Sequence, residues 1–376
     1  MAGVVVVGTT LMAIHHRTLK PTPLPLSISQ FNLQYPSLRF NLPRPASIMS
    51  ATAATPNAAL IHQHSTLECW SEFARNISGE WDGFGADFTL DGKPIELPEN
   101  VVPDAYRDWE VKVFDWQTQC PTLAQPDNSN AIYKLIKLLP TVGCEADAAT
   151  RFSIDERSIG GTDNMVSAFA YQSTGCYTAV WSTGSSRVFE LEHCLIDPRD
   201  KESRVRIIQI IGVDENKRLV LKNIKVFVEQ WYGPFRNGDQ LGGCAIRDSA
   251  FASTQALQSS QVSGVWQCSS SKASFQDSSN SFLQQLIKVD GVEKLVRDEE
   301  HVVLLPKNLW SSVKETEDGE NIWCEVGWVL EAGHGITSKC IFSRNAELKV
   351  YAFLRDRNFI GSFISRIRSI APSMGV

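Results

Sequence analysis

The first 67 residues of this 376-residue chain contain no aspartate or glutamate, although the whole chain carries 42 acidic residues. The same stretch is rich in serine, threonine and proline, and its basic residues include Arg17, Lys20, Arg39 and Arg44. A basic, hydroxylated and acid-free N-terminus is typical of an organelle transit peptide. Its serine and proline content favours the chloroplast over the mitochondrion. We therefore predict a transit peptide over residues 1–50, cleavage near Ala51, and a mature protein in the stroma or on the thylakoid.

Long apolar runs are also missing. The N-terminal valine run at residues 4–7 is far shorter than the roughly 20 residues that a membrane-spanning helix needs. We therefore expect no transmembrane segment, and peripheral association with thylakoid membranes stays open. The oligomeric state is not indicated by the sequence.

Clusters of basic residues are absent from the mature region. Residues 1–50 hold four of the 36 basic residues and none of the 42 acidic ones, so the remainder has a net charge near −10. Nucleic-acid binding requires clustered lysine and arginine at phosphate contacts. We therefore expect no nucleic-acid partner.

The common catalytic and metal-binding motifs are missing as well. The nine cysteines form no C-x-x-C pair and no set of cysteines and histidines with zinc-site spacing. The nucleophile elbow G-x-S-x-G, the P-loop and H-E-x-x-H do not occur. We expect no metal and no cofactor, and the sequence leaves open whether the chain is an enzyme.

What the sequence does contain is an internal repeat. The segment I-S-G-E-W at residues 77–81 recurs as V-S-G-V-W at residues 262–266. An internal repeat indicates that the chain contains two similar structural units. We predict an N-terminal domain with long loops over residues 67–250 and a smaller C-terminal domain over residues 258–370.

The periodicity between these landmarks indicates β-structure. Apolar or alternating runs occur at residues 186–196, 205–213, 219–231, 302–305, 309–316, 321–331, 337–343 and 348–355. Short strands with a turn signal every ten residues or so predict an antiparallel meander, which removes its exposed edges by closing into a barrel. Helix is expected only at residues 67–76, 131–139 and 281–289. The predicted fold class is mainly β, with two antiparallel β-barrels in tandem and few short helices.

A G-x-W motif that follows a helix and opens the first strand resembles the start of the calycin superfamily, which includes the lipocalins and fatty-acid-binding proteins. The run I-S-G-E-W-D-G-F at residues 77–84, followed by W-E-V-K-V-F-D-W at residues 109–116, resembles the DUF3598 family of cyanobacteria and plants. That family is similar to the S-type phycobiliprotein lyases. The resemblance covers residues 67–360 and implies two lipocalin-like barrels, but no settled activity.

The resemblance also implies a structural role for the repeated tryptophans, Trp81 and Trp266, as the floors of the two barrels. In such barrels an arginine of the last strand packs across the indole. We therefore predict that Arg355 covers Trp266, and that Arg236 or Arg247 covers Trp81. A cation–π contact of this kind contributes roughly 0.5–2 kcal/mol.

Candidate site residues are polar or aromatic groups on apolar strands. We predict ligand-binding roles for Trp109, Gln209 and Trp231. Buried polar groups are costly without a partner, so each is either satisfied in the core or exposed to a cavity. His193 and Glu229 are weak catalytic candidates, because they form an acid–base pair only if they converge in space.

Three functions remain open at this stage. The first is a lipocalin-like protein that binds a hydrophobic or tetrapyrrole-like small molecule, such as a pigment, in a barrel cavity. The second is a cofactor-free isomerase or cyclase that orients a hydrophobic substrate in the barrel. The third is a thylakoid assembly or scaffold factor whose barrel is filled by side chains.

Overall fold

The computed structural model describes residues 58–142, 150–183, 187–215, 218–239, 250–275, 281–331 and 333–358, which fall in one compact unit. The predicted transit peptide at residues 1–50 and Arg247 lie outside the described residues. The described residues therefore belong to the two predicted β-rich halves and not to the predicted transit peptide.

Two α-helices occur within the described residues: α1 (Ala58–Ile77) and the short α2 (Asp104–Asp108). The helix predicted at residues 67–76 is confirmed as part of α1. Trp70, Phe73 and Ile77 recur at helical spacing and are buried, so α1 docks one apolar face onto the first sheet. No helix in the described ranges is long and apolar enough to cross a membrane.

Strands make up most of the described chain, so the predicted mainly-β class is confirmed. In chain order the strands are β1 (Glu80–Phe88), β2 (Trp116–Gln119), β3 (Thr122–Gln125), β4 (Asn130–Leu138), β5 (Arg151–Ile159), β6 (Val166–Tyr171), β7 (Tyr177–Ser182), β8 (Val188–Ile196), β9 (Ser203–Val213), β10 (Leu219–Gly233), β11 (Gly264–Ser274), β12 (Leu283–Gln285), β13 (Ile287–Lys288), β14 (Glu293–Arg297), β15 (Val302–Leu305), β16 (Leu309–Glu315), β17 (Asn321–Glu331), β18 (His334–Ser343) and β19 (Leu348–Asn358).

Two of the predicted helices are wrong. Residues 131–138 of the first fall in β4, and residues 281–289 of the second contain β12 and β13. The sequence of β4 fits helical and alternating periods about equally well. Its Ile132, Tyr133 and Ile136 are residue types that favour strands, and pairing with β2, β3 and β5 decides the outcome.

The strands form two sheets. The first sheet has the order β12-β6-β7-β8-β9-β10-β1-β2-β4-β3, with β5 paired to β4, and the second has the order β13-β11-β19-β18-β17-β16-β15, with β14 paired to β11. All neighbours are antiparallel except β12, which leaves the second half and pairs in parallel with β6. Apart from β12, the first sheet contains the strands up to β10 and the second sheet contains those from β11 onwards. The domain boundaries at residues 67–250 and 258–370 stay predictions.

Each sheet is curled. In the first sheet, Tyr133 of β4 reaches Glu192 of β8, and Arg157 of β5 reaches Glu190 of β8, although these strands lie far apart in the sheet order. We call the side that carries these contacts the first concave face. In the second sheet, Arg297 of β14 bonds Thr337 of β18 in the same way, which defines the second concave face.

The opposite faces of the two sheets pack against each other. This intersheet core contains apolar residues of both sheets, including Leu191, Ile207, Val326 and Phe342. Polar contacts cross it as well, since Thr178 and His193 of the first sheet both lie 2.8 Å from Ser338 of the second. The chain therefore has two concave faces that point away from a shared core.

Candidate functional site

The repeated motif builds the same floor on both concave faces. The Trp81 indole donates to the carbonyl of Ile77 at 2.8 Å, and the Trp266 indole donates to the carbonyl of Val262 at 2.7 Å. The glycine between them adopts φ +143° at Gly79 and φ +115° at Gly264. This backbone geometry favours glycine, so the turn and the indole acceptor are both properties of the repeat.

An arginine covers each of the two indoles, and in both cases it is a different arginine from the predicted one. The Arg204 guanidinium lies 4.4 Å from the centre of the Trp81 ring, and that of Arg297 lies 5.1 Å from Trp266. The prediction that Arg355 covers Trp266 is wrong. Arg355 pairs with Ser269, three residues beyond Trp266, and alternation along the strand puts it on the other face, exposed to solvent.

The prediction for Trp81 is corrected in the same way. Arg204 comes from β9 and occupies the position over the indole. The backbone N–H of Arg236 donates to the carboxylate of Glu80.

Above the first floor lies a buried ionic network. Glu192 is fully buried and accepts hydrogen bonds from four side chains, Tyr133 (2.5 Å), Tyr177 (2.8 Å), Trp181 (2.7 Å) and Arg206 (3.0 Å). Burial by itself raises the pKa of Glu192, but the charges of Arg206 and Arg157 and the phenol hydrogen bonds outweigh it and lower the pKa to about 2. Glu192 is therefore ionised at neutral pH.

Glu229 extends the same network to the floor. It accepts from Arg204 at 2.6 Å and from Arg206 at 2.8 and 3.1 Å. Burial raises the pKa of Glu229, and the two guanidinium charges more than offset this, so its pKa is lowered. Buried ion pairs are tolerated only when hydrogen bonds satisfy both partners. All four carboxylate oxygens of Glu192 and Glu229 accept at least one hydrogen bond, whereas Nη2 of Arg204 and Nη1 of Arg157 have no hydrogen-bond partner within the described residues. The network occupies the interior of the first concave face with charged side chains.

His193 and Glu229 do not converge. His193 pairs with Ile207, whereas Glu229 pairs with Arg204, three residues away on the same strand β9. Cross-strand partners share a face and neighbours alternate, so the two residues lie on opposite faces of the first sheet. Burial lowers the pKa of His193 to about 3, so the imidazole is neutral in the intersheet core. The hypothesis of an acid–base pair between them is wrong.

Gln209 also belongs to the intersheet core. Its amide nitrogen donates to the Ser311 hydroxyl at 2.9 Å and lies 3.3 Å from the carbonyls of Ser312 and Glu325. Gln209 thus joins β9 to the second sheet. Its predicted contact with a ligand stays a prediction, and its position between the two sheets does not favour such a contact.

A cleft of about 800 Å³ opens at the end of the first sheet, where β1, β9 and β10 meet the turn between β15 and β16 and the end of β17. Its charged residues are Asp82, Arg199, Glu202, Arg204, Glu229 and Lys307, and its aromatic residues are Trp231, Tyr232 and Trp328. Trp231 and Tyr232 are 37% and 50% exposed, so their rings are available to a ligand. The cleft combines an aromatic wall with a charged base.

Asp82 is the unusual group of this cleft. It is 4% exposed, its carboxylate accepts a hydrogen bond from Gln119, and its Oδ1 has no hydrogen-bond partner within the described chain. Burial, together with the negative charge of Glu80, raises the pKa of Asp82 to about 7. A carboxyl group with this pKa changes its charge near neutral pH.

Of the residues chosen from the sequence, the cleft brings together Trp231 and Glu229. Trp109 was placed on a strand, and this is wrong: it follows α2, is 61% exposed and contacts Tyr106. Its ligand-binding role stays a prediction. Sequence reasoning missed Asp82, which lies next to Trp81 in a strand that the structure buries along most of its length.

The curled antiparallel sheets and their tryptophan floors define a mainly β protein of calycin-like fold. Among solved structures, the chain is similar to a protein of unknown function from the DUF3598 family of Nostoc punctiforme, the family that its sequence resembles. The two are 13% identical with a TM-score of 0.45, and the match covers 77% of this chain and 98% of that one. An S-type phycobiliprotein lyase from Guillardia theta is 10% identical with a TM-score of 0.26, covering 44% of this chain and 93% of the lyase. No family model and no curated protein matches the chain.

Proposed function

We propose that the chain is a chloroplast protein that binds a hydrophobic or tetrapyrrole-like small molecule, and that the cleft beside Trp231 holds this molecule. The observation that carries the proposal is the cleft itself, with Asp82 buried at its base and aromatic rings along its side. Ligand pockets usually enclose about 300–1,000 Å³, combine apolar walls with a few polar groups, and include residues with shifted pKa values. The cleft has all three properties.

The lining indicates the shape of the ligand. Trp231, Tyr232 and Trp328 offer flat surfaces on which a conjugated, planar molecule can stack. The lining contains the cationic groups of Lys307 and of Arg199, which also pairs with Asp197 and Glu331, and a peripheral carboxylate of a ligand can contact such groups. A linear tetrapyrrole combines a conjugated body, nitrogen atoms and two carboxylates. A fatty acid offers only the carboxylate and an apolar chain.

The test is a titration of the full-length protein with biliverdin and, in parallel, with oleate, followed by tryptophan fluorescence. We expect saturable binding of biliverdin. Removing one aromatic wall with Tyr232→Ala should weaken it about 3- to 10-fold, since aromatic contacts contribute roughly 0.5–1.5 kcal/mol. The matched control is Trp109→Ala, an exposed aromatic residue outside the cleft. If Trp109→Ala weakens binding and Tyr232→Ala does not, the ligand binds at Trp109 and not in the cleft.

A second function is favoured by one observation, the pKa of Asp82 near 7. A general acid or base works best when its pKa lies near the operating pH, so Asp82 would suit a cofactor-free isomerase. Incubating the protein with conjugated substrates in deuterated water tests this function. Deuterium incorporation that Asp82→Asn abolishes would establish proton transfer, and its absence would leave binding alone.

The chloroplast location rests on the acid-free N-terminus rather than on the described fold. Fusing residues 1–50 to a fluorescent protein tests it. Import into chloroplasts with removal of the segment supports the location, and retention in the cytosol contradicts it. Fractionation of the imported full-length protein then decides between stroma and thylakoid surface.

A further inference from the structure

We infer that Asp82 recognises a basic nitrogen of the ligand, so that the cleft selects conjugated nitrogen heterocycles and holds them in the protonated form. This inference rests on the proposed binding function and names the chemical class of its ligand. It follows from the hydrogen bonds of the three carboxyl groups that lie together at this end of the first sheet.

The other two carboxyl groups are already engaged. Glu80 accepts from the backbone N–H groups of Arg236 and Gly238, and both oxygens of Glu229 accept from Arg204 and Arg206. Oδ1 of Asp82 accepts nothing from the described residues, although the group is almost completely buried. A buried polar atom without a partner costs about 1–3 kcal/mol, so a ligand that supplies a donor at this atom recovers that cost.

The surrounding charge favours a donor that is positive. Glu80 on the same strand and Glu229 on β10 act on Asp82 with negative charge, and Arg236 is the cation that acts on it from beyond β10. The cleft also brings Arg199, Glu202, Arg204 and Lys307 to its lining. Arg204 is paired with Glu229, and Arg199 is paired with Asp197 and Glu331. Two carboxylates, Glu80 and Glu229, and one guanidinium, Arg236, are thus the charged groups that shift the pKa of Asp82, and this balance favours a cation at the carboxyl group.

The proton balance of the step is simple. A neutral ligand nitrogen meets the protonated Asp82 carboxyl, the O–H bond breaks, an N–H bond forms, and the carboxylate then accepts that N–H. No other reactant is consumed. The pKa of Asp82 near 7 supports the step, because the carboxyl group then holds a proton in a substantial fraction of the free protein at neutral pH.

The experiment uses biliverdin with the full-length protein and reads the absorbance spectrum at pH 7.5. Protonation of the conjugated nitrogens shifts the long-wavelength band to the red and strengthens it. We expect the wild-type complex to show the protonated spectrum. Asp82→Asn should show the neutral spectrum and bind biliverdin about 10-fold more weakly. The matched control, Asp290→Asn on an exposed turn, should behave as the wild type.

Oleate separates this inference from the proposed function, because it carries no nitrogen. Its affinity should be the same for the wild type and Asp82→Asn. A wild-type complex with the neutral spectrum overturns the inference and leaves the binding function intact. Binding of oleate without binding of biliverdin also overturns the inference alone, whereas absence of binding of both molecules overturns the inference and the binding function.

A second measurement covers the case that Asp82→Asn does not fold. The pH titration of the wild-type complex should place the apparent pKa of bound biliverdin at least one unit above that of the free pigment. An equal or lower value contradicts the inference without any variant.

Discussion

The two halves of the chain build the same floor and then diverge above it. Trp81 and Trp266 each donate to the carbonyl four residues earlier and lie under an arginine. Above Trp81, the carboxylates of Glu190, Glu192 and Glu229 alternate with three arginines. Above Trp266, Arg297 is held by Asp356 and Thr337 and lies 4.8 Å from the Trp310 ring.

The difference shows which structural features the short repeat determines by itself and which depend on the rest of each sheet. The indole and its acceptor lie within five residues, so two copies of the repeat give two equivalent floors. The covering arginine comes from β9 in the first half, which is separated from β1 by β10, and from β14 in the second half, which pairs directly with β11. Interior chemistry therefore depends on the order of the strands around each floor, and we expect the two halves to respond differently to substitution.

The largest expected effect is the loss of Glu192 from the first half. In Glu192→Gln, Arg206 and Arg157 lose a buried anionic partner, and breaking such a pair costs about 3–5 kcal/mol of unfolding free energy. Asp356→Asn in the second half should cost less, about 1–3 kcal/mol, because one arginine is affected. Urea denaturation measures both. Glu156→Gln, whose carboxylate is largely exposed, serves as control and should change stability by less than about 0.5 kcal/mol. Equal losses for Glu192 and Asp356 would contradict the difference between the halves.

The next effect compares two buried carboxyl groups of the first half with opposite pKa shifts. Asp82 has a pKa raised to about 7, so its contribution to stability is complete below its ordinary pKa of 3.8 and is lost as the pH rises through 7. Glu192 has a pKa lowered to about 2, so its contribution is present above its ordinary pKa of 4.5 and is lost as the pH falls towards 2.

Urea denaturation of the wild type and Asp82→Asn at several pH values isolates the first of these contributions. Relative to the wild type, the variant should gain up to about 4 kcal/mol between pH 4 and pH 8, since each pKa unit corresponds to about 1.4 kcal/mol. Groups such as His193 titrate in both proteins and cancel in the difference. A difference that does not change with pH would show that Asp82 is ionised throughout this range.

A smaller effect tests whether the two floors are equivalent. Trp81→Phe and Trp266→Phe each remove an indole N–H and leave a buried carbonyl without its donor, which costs about 1–3 kcal/mol. We expect the two losses to agree within about 1 kcal/mol in thermal or urea denaturation. Trp109→Phe should have no measurable effect, because this residue is 61% exposed. A loss for one floor alone would mean that only one copy of the repeat has a structural role.

The same contrast explains how far the sequence could predict the molecule. The strand periods predicted β9, β10, β15 and β17 within a few residues, and the repeat located both floor tryptophans. These are local signals. The partners Arg204 and Arg297, and the separation of His193 from Glu229, depend on strand register and sheet curl. Asp82 was missed because only the packing of β1 between β2 and β10 shows that its carboxyl group is buried.

The smallest effect concerns the arginine over Trp266, where the sequence and the structure disagree. Arg297→Lys keeps the charge but loses the planar guanidinium that lies between Trp266 and Trp310 and donates to Asp356. We expect a loss of about 1–2 kcal/mol in urea denaturation. Arg355→Lys should stay within about 0.5 kcal/mol, because Arg355 is exposed on the other face of the sheet. A larger loss for Arg355→Lys than for Arg297→Lys would indicate that Arg355, on the last strand, covers Trp266. The halves would then no longer differ in the way described above.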